Sequence, residues 1–400
     1  MEEILAKFKD YCERPYERAM EVKAARNIKI IGCLPMYFPE EIIHAAGALP
    51  VTLFGSDEPI TLGNGHMMTN ACDQVRSSFD SLLKGKYDFL DGIAAIHVCD
   101  QVRFFLEVWQ LDHPVDFFHQ MWRPYKLDET TQVFLRSELE RLIGSLEEFL
   151  GAKITDQALQ SSIGIYNESR AMMRKLNALR KEKPGLISAA DMVRVVAASM
   201  FIPREEHNEL LRQLVSKLEV MQAPSGKKTK VIVVGHPCSV PESELLDLIE
   251  NQGMAVVDDD FFTGGRYFAR DVSLSLGPVE AFVEYYRSAI PCTTNHFAPN
   301  WITPGMSWKK VLDVAGENPK YRSISLVKEK KGFEHETMGP EVEFNRSRLA
   351  SRINNGEVPQ GFMFVYRYSE RVAFAVRFDG NGKVTDVQDV MTMADLLQTR

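Results

Sequence analysis

The sequence predicts an α/β protein: two parallel-sheet domains joined by a helical segment, with an atypical C-terminal part. Three observations carry this. Strand–helix–strand units open the chain and return after residue 229. Between them, residues 131–220 keep a helical apolar period. Beyond Pro304 the strands read as antiparallel, with a turn sequence between them. The expected boundaries are 1–130 for the first α/β domain, 131–221 for the helical segment, 222–305 for the second α/β domain and 306–400 for the divergent remainder.

The elements follow in order. Residues 1–26 read as an amphipathic helix. "NIKIIGCLP", 27–35, reads as a strand ending at Gly and Pro. "PEEIIHAAGALP", 39–50, places Pro39 at a first helical turn and Ile42, Ile43, Ala46 and Leu49 on one face. "VTLFG", 51–55, is the next strand. Residues 73–84 are helical, Gly85 marks a stop, and "GIAAIHVC" is a buried strand with Cys99 at its C-terminal end. A helix over 100–110 and a strand in "VDFFHQMWRP" complete the first domain. Thr155, Ser188 and Pro203 supply helix starts in the middle segment. "QAPSGKKTK" is a linker by composition. The second α/β domain has strands at 230–235 and 253–262 and helices at 242–252 and 278–290. In 362–390 the Asp379-Gly380-Asn381-Gly382 turn separates strands.

Composition narrows the function. Acidic residues number 55 against 47 basic, a net charge of -8 that argues against a nucleic-acid surface. No apolar run approaches the ~18 residues of a membrane span. The charged N-terminus lacks the apolar core of a signal peptide. A cytoplasmic protein without membrane or nucleic-acid partners is expected. In a reducing compartment its six cysteines serve as buried thiols or metal ligands rather than disulfides. None forms a CxxC pair, so any cluster site must be assembled from distant loops.

The string Cys-Asp-Gln-Val-Arg occurs twice, at 72–76 and 99–103. One reading is two buried cysteines in sequences alike by chance, since cysteine is often buried. The other is metal ligation: each thiol immediately precedes a predicted helix, whose N–H groups favour a thiolate. Arg76 and Arg103 would then lie one turn on, able to meet a cluster or an anionic substrate group. Cys238, in "GHPCSVP", has the same strand-to-helix setting. Cys292, in "IPCTTNH", is a weaker candidate, and Cys12 and Cys33 read as packing residues. His97, two residues before Cys99, shares a strand face with it. His44 and His207 read as satisfied helical residues. "VVDDDFFTGGRYF" ends a strand in three acids, then offers two glycines and Arg266 for a phosphate or carboxylate; solvated, helix-starting acids are the competing reading. No phosphate-loop or dinucleotide fingerprint occurs in a strand–turn–helix context, so ATP is expected to bind a partner.

The stretches "PMYFPEEIIHAAGALPV", "CDQVRSSFDSLLKGKYDFLDG", "HVCDQVR", "IGIYNESR", "REEHNELLRQL" and "VVDDDFFTGGRYF", in this order over about residues 1–300, resemble the family of 2-hydroxyacyl-CoA dehydratase and ATP-dependent benzoyl-CoA reductase subunits. "YNESR" and "EEHN" are most similar to the smaller, cluster-bearing (C-type) subunit of the reductases. The resemblance implies two Rossmann- or flavodoxin-like domains with a [4Fe-4S] cluster in the cleft. It implies an acyl-CoA thioester substrate and a related active-site subunit. It also implies an ATP-hydrolysing iron–sulfur activator and a low-potential electron donor such as ferredoxin. Cys72 and Cys99 match the first two family ligands. The third family cysteine lies in an "FCDP"-like loop, yet no cysteine follows Cys292 here. Cys238, ahead of Cys292, is the expected substitute. A noncysteine ligand, or a chain without a cluster, are the other readings. Arg76, Arg103 and Arg266 are the expected substrate-binding residues. Three functions compete: the iron–sulfur subunit of a benzoyl-CoA reductase, a 2-hydroxyacyl-CoA dehydratase subunit working through a ketyl radical, and a non-catalytic scaffold.

Overall fold

A computed structural model describes residues 1–34, 37–56, 58–68, 70–124, 129–224, 226, 228–235, 238, 240–289, 305–315, 324–329, 335–338, 346–357, 362–367 and 373–390. The chain forms two compact units, Met1–Ile290 and Pro291–Arg400.

The first unit begins with α1 (Glu2–Glu13) and α2 (Glu17–Arg26). A single helix over 1–26 is therefore corrected to two. The break at 14–16 contains Pro15, which has no N–H and clashes with the preceding turn inside a helix. There follow β1 (Ile30–Cys33), α3 (Glu40–Ala45), β2 (Leu49–Thr52), α4 (Asp73–Leu83), β3 (Gly92–Ile96), α5 (Asp100–Asp112) and β4 (Phe117–Met121). The four strands pair in parallel in the order β2-β1-β3-β4. β1, β2 and β3 are buried at every residue, as parallel strands covered on both faces require. Strand order reverses direction between β1 and β3. At such a switch point the loops leaving the carboxyl ends diverge and open a crevice.

The helical segment consists of α6 (Glu129–Leu150), α7 (Asp156–Glu182), α8 (Ala189–Ala198) and α9 (Arg204–Val220). The Thr155 hydroxyl accepts from the Ala158 amide at 3.2 Å and Ser188 from that of Asp191 at 3.0 Å, so both caps read from sequence are made. Next come β5 (Thr229–Val233), α10 (Ser243–Asn251), β6 (Met254–Asp259) and α11 (Pro278–Ala289), with β5 and β6 paired in parallel. Two parallel-sheet regions linked by helices thus make up this unit.

The second unit contains α12 (Trp308–Ala315), β7 (Ile324–Glu329), β8 (His335–Met338), α13 (Arg346–Asn354), β9 (Phe362–Arg367), β10 (Ala373–Phe378) and β11 (Val384–Val390). Its sheet is antiparallel, in the order β11-β10-β9-β7-β8. The β10–β11 turn is tied by Asp379, whose carboxylate accepts from the amides of Asn381 at 2.9 Å and Lys383 at 2.8 Å. Among the described residues, no helix is long and apolar enough to cross a membrane.

Candidate functional site

The repeated pentapeptide builds the same device twice. Cys72 is the N-cap of α4 and Cys99 the N-cap of α5, both with extended backbone. Each cysteine carbonyl accepts the first helical bond, from Arg76 at 3.1 Å and Arg103 at 3.2 Å. Asp73 and Asp100 place an acid in the first turn, where the helix dipole favours it. Val75 and Val102 are buried and anchor each helix start in the core. The two thiols are thereby presented at helix N-termini above the sheet's carboxyl edge.

The thiols also influence one another's charge. Cys72 is raised above the ordinary thiol range: burial is the main cause, the Val75 amide opposes it, and nearby Cys99 adds to it. Burial pushes Cys238 up to about 12, with Cys99 and Cys72 adding and Arg266 opposing. Three cysteines from three separate loops therefore share one electrostatic neighbourhood. Cys12, Cys33, Cys72, Cys99 and Cys238 form no disulfide. Cys33 is buried at the end of β1, and Cys12 packs with its thiol toward the Arg194 carbonyl at 3.4 Å, the packing roles expected of them. Cys292 lies outside the described residues.

A small cavity, with room for about one or two water molecules, is lined by the loop after β1, the loop after β6, Arg170 of α7 and Tyr285 and Tyr286 of α11. Arg266 joins the two features. Its Nη2 donates to Asp260 at 2.7 Å and its Nη1 reaches the Tyr37 hydroxyl at 3.4 Å, while its charge acts on Cys238. Tyr37 has φ 64°, a conformation strained for a bulky residue. Its carbonyl accepts from the Tyr286 hydroxyl at 2.6 Å, which fixes it there. The three acids of "VVDDDFF" are all engaged: Asp258 with Lys181 at 2.7 Å, Asp259 with Arg180 at 3.0 Å and Asp260 with Arg266. They brace the loop rather than face water. Gly264 is required here, because a Cβ would sit 1.8 Å from Asp259 Oδ1.

The other two arginines differ from Arg266. Arg76 donates to Asn64 Oδ1 at 2.6 Å and lies 3.5 Å from Asp73. Arg103 is held by Glu107 of its own helix at 2.8 Å. Neither lines the cavity.

Sequence reasoning missed the buried charges behind the cavity. Glu40 Oε2 accepts from Arg204 at 2.8 Å and from the Tyr267 hydroxyl at 2.8 Å. Arg204 stacks on Tyr166 at 4.2 Å, and Glu41 pairs with Arg170. Burial raises Glu40 above the usual carboxylate range, with Arg204 opposing it. The available signal was an arginine on the apolar face of a predicted helix, one turn after Tyr166 for Arg170.

Do the residues fit an iron–sulfur cluster? Among the described residues no group of three or more His, Cys, Asp or Glu side chains is placed to hold a metal ion. One tetrahedral ion needs its sulfurs within about 4 Å of each other. A four-iron cluster spaces them by roughly 6–7 Å, since each thiolate binds a different iron. The neighbourhood also holds buried polar atoms without a hydrogen-bond partner: Arg76 Nε, His97 Nε2 and Gln101 Oε1, each within four residues of Cys72 or Cys99. Arg76 Nε is an N–H donor, and His97 Nε2 is one in the tautomer that carries its proton there; both suit an acceptor such as sulfide. The two cysteine N-caps and the unpartnered Arg76 Nε beside them are the features that suit a sulfide-bearing group.

The fold and site define an α/β protein that sets two cysteine-capped helix starts on a parallel sheet with a topological switch point. The chain belongs to the family described as "2-hydroxyglutaryl-CoA dehydratase, D-component", which matches residues 35–303. It is 31% identical over 279 residues to one of the benzoyl-CoA reductase subunits of Thauera aromatica, covering 67% of this chain and 72% of that one. It is 28% identical over 289 residues to the (R)-phenyllactyl-CoA dehydratase beta subunit of Clostridium sporogenes, with coverages of 72% and 76%. The beta subunit of lactoyl-CoA dehydratase from Anaerotignum propionicum is 31% identical over 274 residues, with coverages of 68% and 72%.

Proposed function

We propose that this chain is the iron–sulfur subunit of an ATP-dependent benzoyl-CoA reductase, with Cys72, Cys99 and Cys238 as thiolate ligands of a [4Fe-4S] cluster. The observation that supports the reading is the pair of cysteine N-caps, Cys72 on α4 and Cys99 on α5, built by the same pentapeptide. Bound there, the cluster supplies single low-potential electrons to the acyl-CoA. The chain's own residues do the rest. The Val75 amide in the first turn of α4 favours the Cys72 thiolate against the burial that opposes it. Arg266, braced by Asp260 and Tyr37, offers a cation beside the cavity, where negative charge on a reduced thioester carbonyl would develop. Arg76 and Arg103, each in the first turn of a cysteine-capped helix, are proposed to meet the anionic part of the CoA. Tyr37, Phe262 and Tyr286 give the cavity aromatic walls that limit water around Arg266. The partners are a related active-site subunit, an ATP-hydrolysing iron–sulfur activator and a ferredoxin-like donor.

The likeness to the Thauera aromatica benzoyl-CoA reductase protein supports the reductase. Comparable identity to two dehydratase beta subunits supports a second reading, a 2-hydroxyacyl-CoA dehydratase subunit. The two separate in one assay: the anaerobically purified complex with activator, reductant and ATP, given benzoyl-CoA or a 2-hydroxyacyl-CoA. ATP-dependent loss of the aromatic absorbance with benzoyl-CoA is expected. Water elimination from the hydroxyacyl substrate alone would select the second reading. No turnover of either by an active, cluster-loaded complex would contradict both.

A further inference from the structure

We infer that His97 donates a hydrogen bond from Nε2 to a sulfur of the group that Cys99 helps to hold, and thereby sets that group's reduction potential. The inference rests on the cluster assignment proposed above. Its own observation is a buried ring nitrogen with no partner within ordinary hydrogen-bond distance, the Asp100 carboxylate standing off at 3.8 Å.

His97 leaves the end of β3 two residues before Cys99. Its amide is fixed to the Met121 carbonyl at 2.8 Å, and its ring packs on Trp122 with centroids 4.8 Å apart. The ring is thus held by the backbone of β4 and by the residue that follows it. Nε2 is buried and makes no hydrogen bond. The Asp100 carboxylate lies at 3.8 Å, beyond hydrogen-bond reach, and Arg103 and Arg123 are the other charged groups facing the ring. Asp100 is the first residue of the helix that Cys99 caps, so Nε2 sits at that helix start. Native structures rarely keep a buried donor unmade, and one that does often lacks a bound partner.

Sulfur atoms of an iron–sulfur cluster accept hydrogen bonds. Each such bond favours the more negative, reduced cluster and raises its potential. Arg76 Nε, one turn into the other cysteine-capped helix, is a second buried donor of the same kind. His97 is the better probe, because Arg76 is already engaged by Asn64.

The test uses the anaerobic complex and two variants, His97→Leu, which removes the donor, and His97→Gln, which keeps an N–H. Iron and acid-labile sulfide are measured first, then the cluster is titrated against potential by electron paramagnetic resonance. His97→Leu is expected to keep its iron and sulfide. At a fixed potential its ratio of reduced to oxidised cluster should fall about tenfold, equivalent to 59 mV for one electron. His97→Gln should restore most of that ratio. A cluster lost in His97→Leu but kept at near wild-type potential in His97→Gln also supports the donor. An unchanged potential in His97→Leu overturns the inference alone, as does loss of the cluster in both variants. A wild-type complex without iron and sulfide overturns the cluster assignment and this inference with it.

Discussion

At the scale of single residues, the decisive feature is charge carried into the core in matched pairs. Arg204 and Glu40 are both buried, and each is tolerable only because the other is there. Arg204→Met should destabilise the protein by about 3–5 kcal/mol in chemical denaturation. The double variant with Glu40→Gln should recover part of that loss, because the stranded carboxylate is gone. A full, additive loss in the double variant would show that the pair is not coupled. His207 gives a pH signature. It is buried, its Nε2 donates to the Val195 carbonyl at 2.8 Å, and burial, aided by Arg204, lowers its pKa from the ordinary 6.5 to about 3. The unfolded chain takes up a proton below pH 6.5 that the native ring refuses. The native advantage is therefore complete above 6.5 and is lost progressively as pH falls from 6.5 toward about 3, by up to about 1.4 kcal/mol per pH unit. Denaturation midpoints should fall across that window, and His207→Gln should flatten the slope by about one proton.

At the scale of elements, the sequence was most legible where local chemistry decides. Thr155 and Ser188 mark helix starts because a side-chain oxygen there caps an amide within three residues. Asp379 marks the β10–β11 turn for a similar local reason. The Cys-Asp-Gln-Val-Arg echo is legible as two like helix starts, in which Cys, Asp and Val play the same part both times. What could not be read is non-local. The order β2-β1-β3-β4 depends on pairings across the chain, and the Glu40–Arg204 contact joins residues 164 apart. The loop after β6 tests how such contacts position the site. Gly264→Ala would drive a methyl into Asp259, displacing the carboxylate from the Gly265 amide, now 2.9 Å away, and from Arg180. A destabilisation of about 1–3 kcal/mol is expected by thermal denaturation. An unchanged melting temperature would show that the loop gives way without cost.

At the scale of the whole molecule, the family match spans 35–303 and the second unit begins at Pro291. The chemistry proposed for this chain is concentrated in the first unit, where Cys72, Cys99 and Cys238 all lie. The sequence pointed to Cys72 and Cys99 because their setting is repeated. Cys238 could be ranked only by its place after a strand, and its proximity to the other two needed the fold. The central claim is that these three thiols hold one four-iron cluster. The most direct test is iron and acid-labile sulfide per chain after anaerobic purification, in the wild type and in Cys72→Ser, Cys99→Ser and Cys238→Ser. About four of each per wild-type chain, sharply reduced in all three variants, is the predicted result. Wild-type content retained in the Cys238 variant would remove that residue from the ligand set. Content retained in the Cys72 and Cys99 variants, or absent from the wild type, would contradict the claim outright.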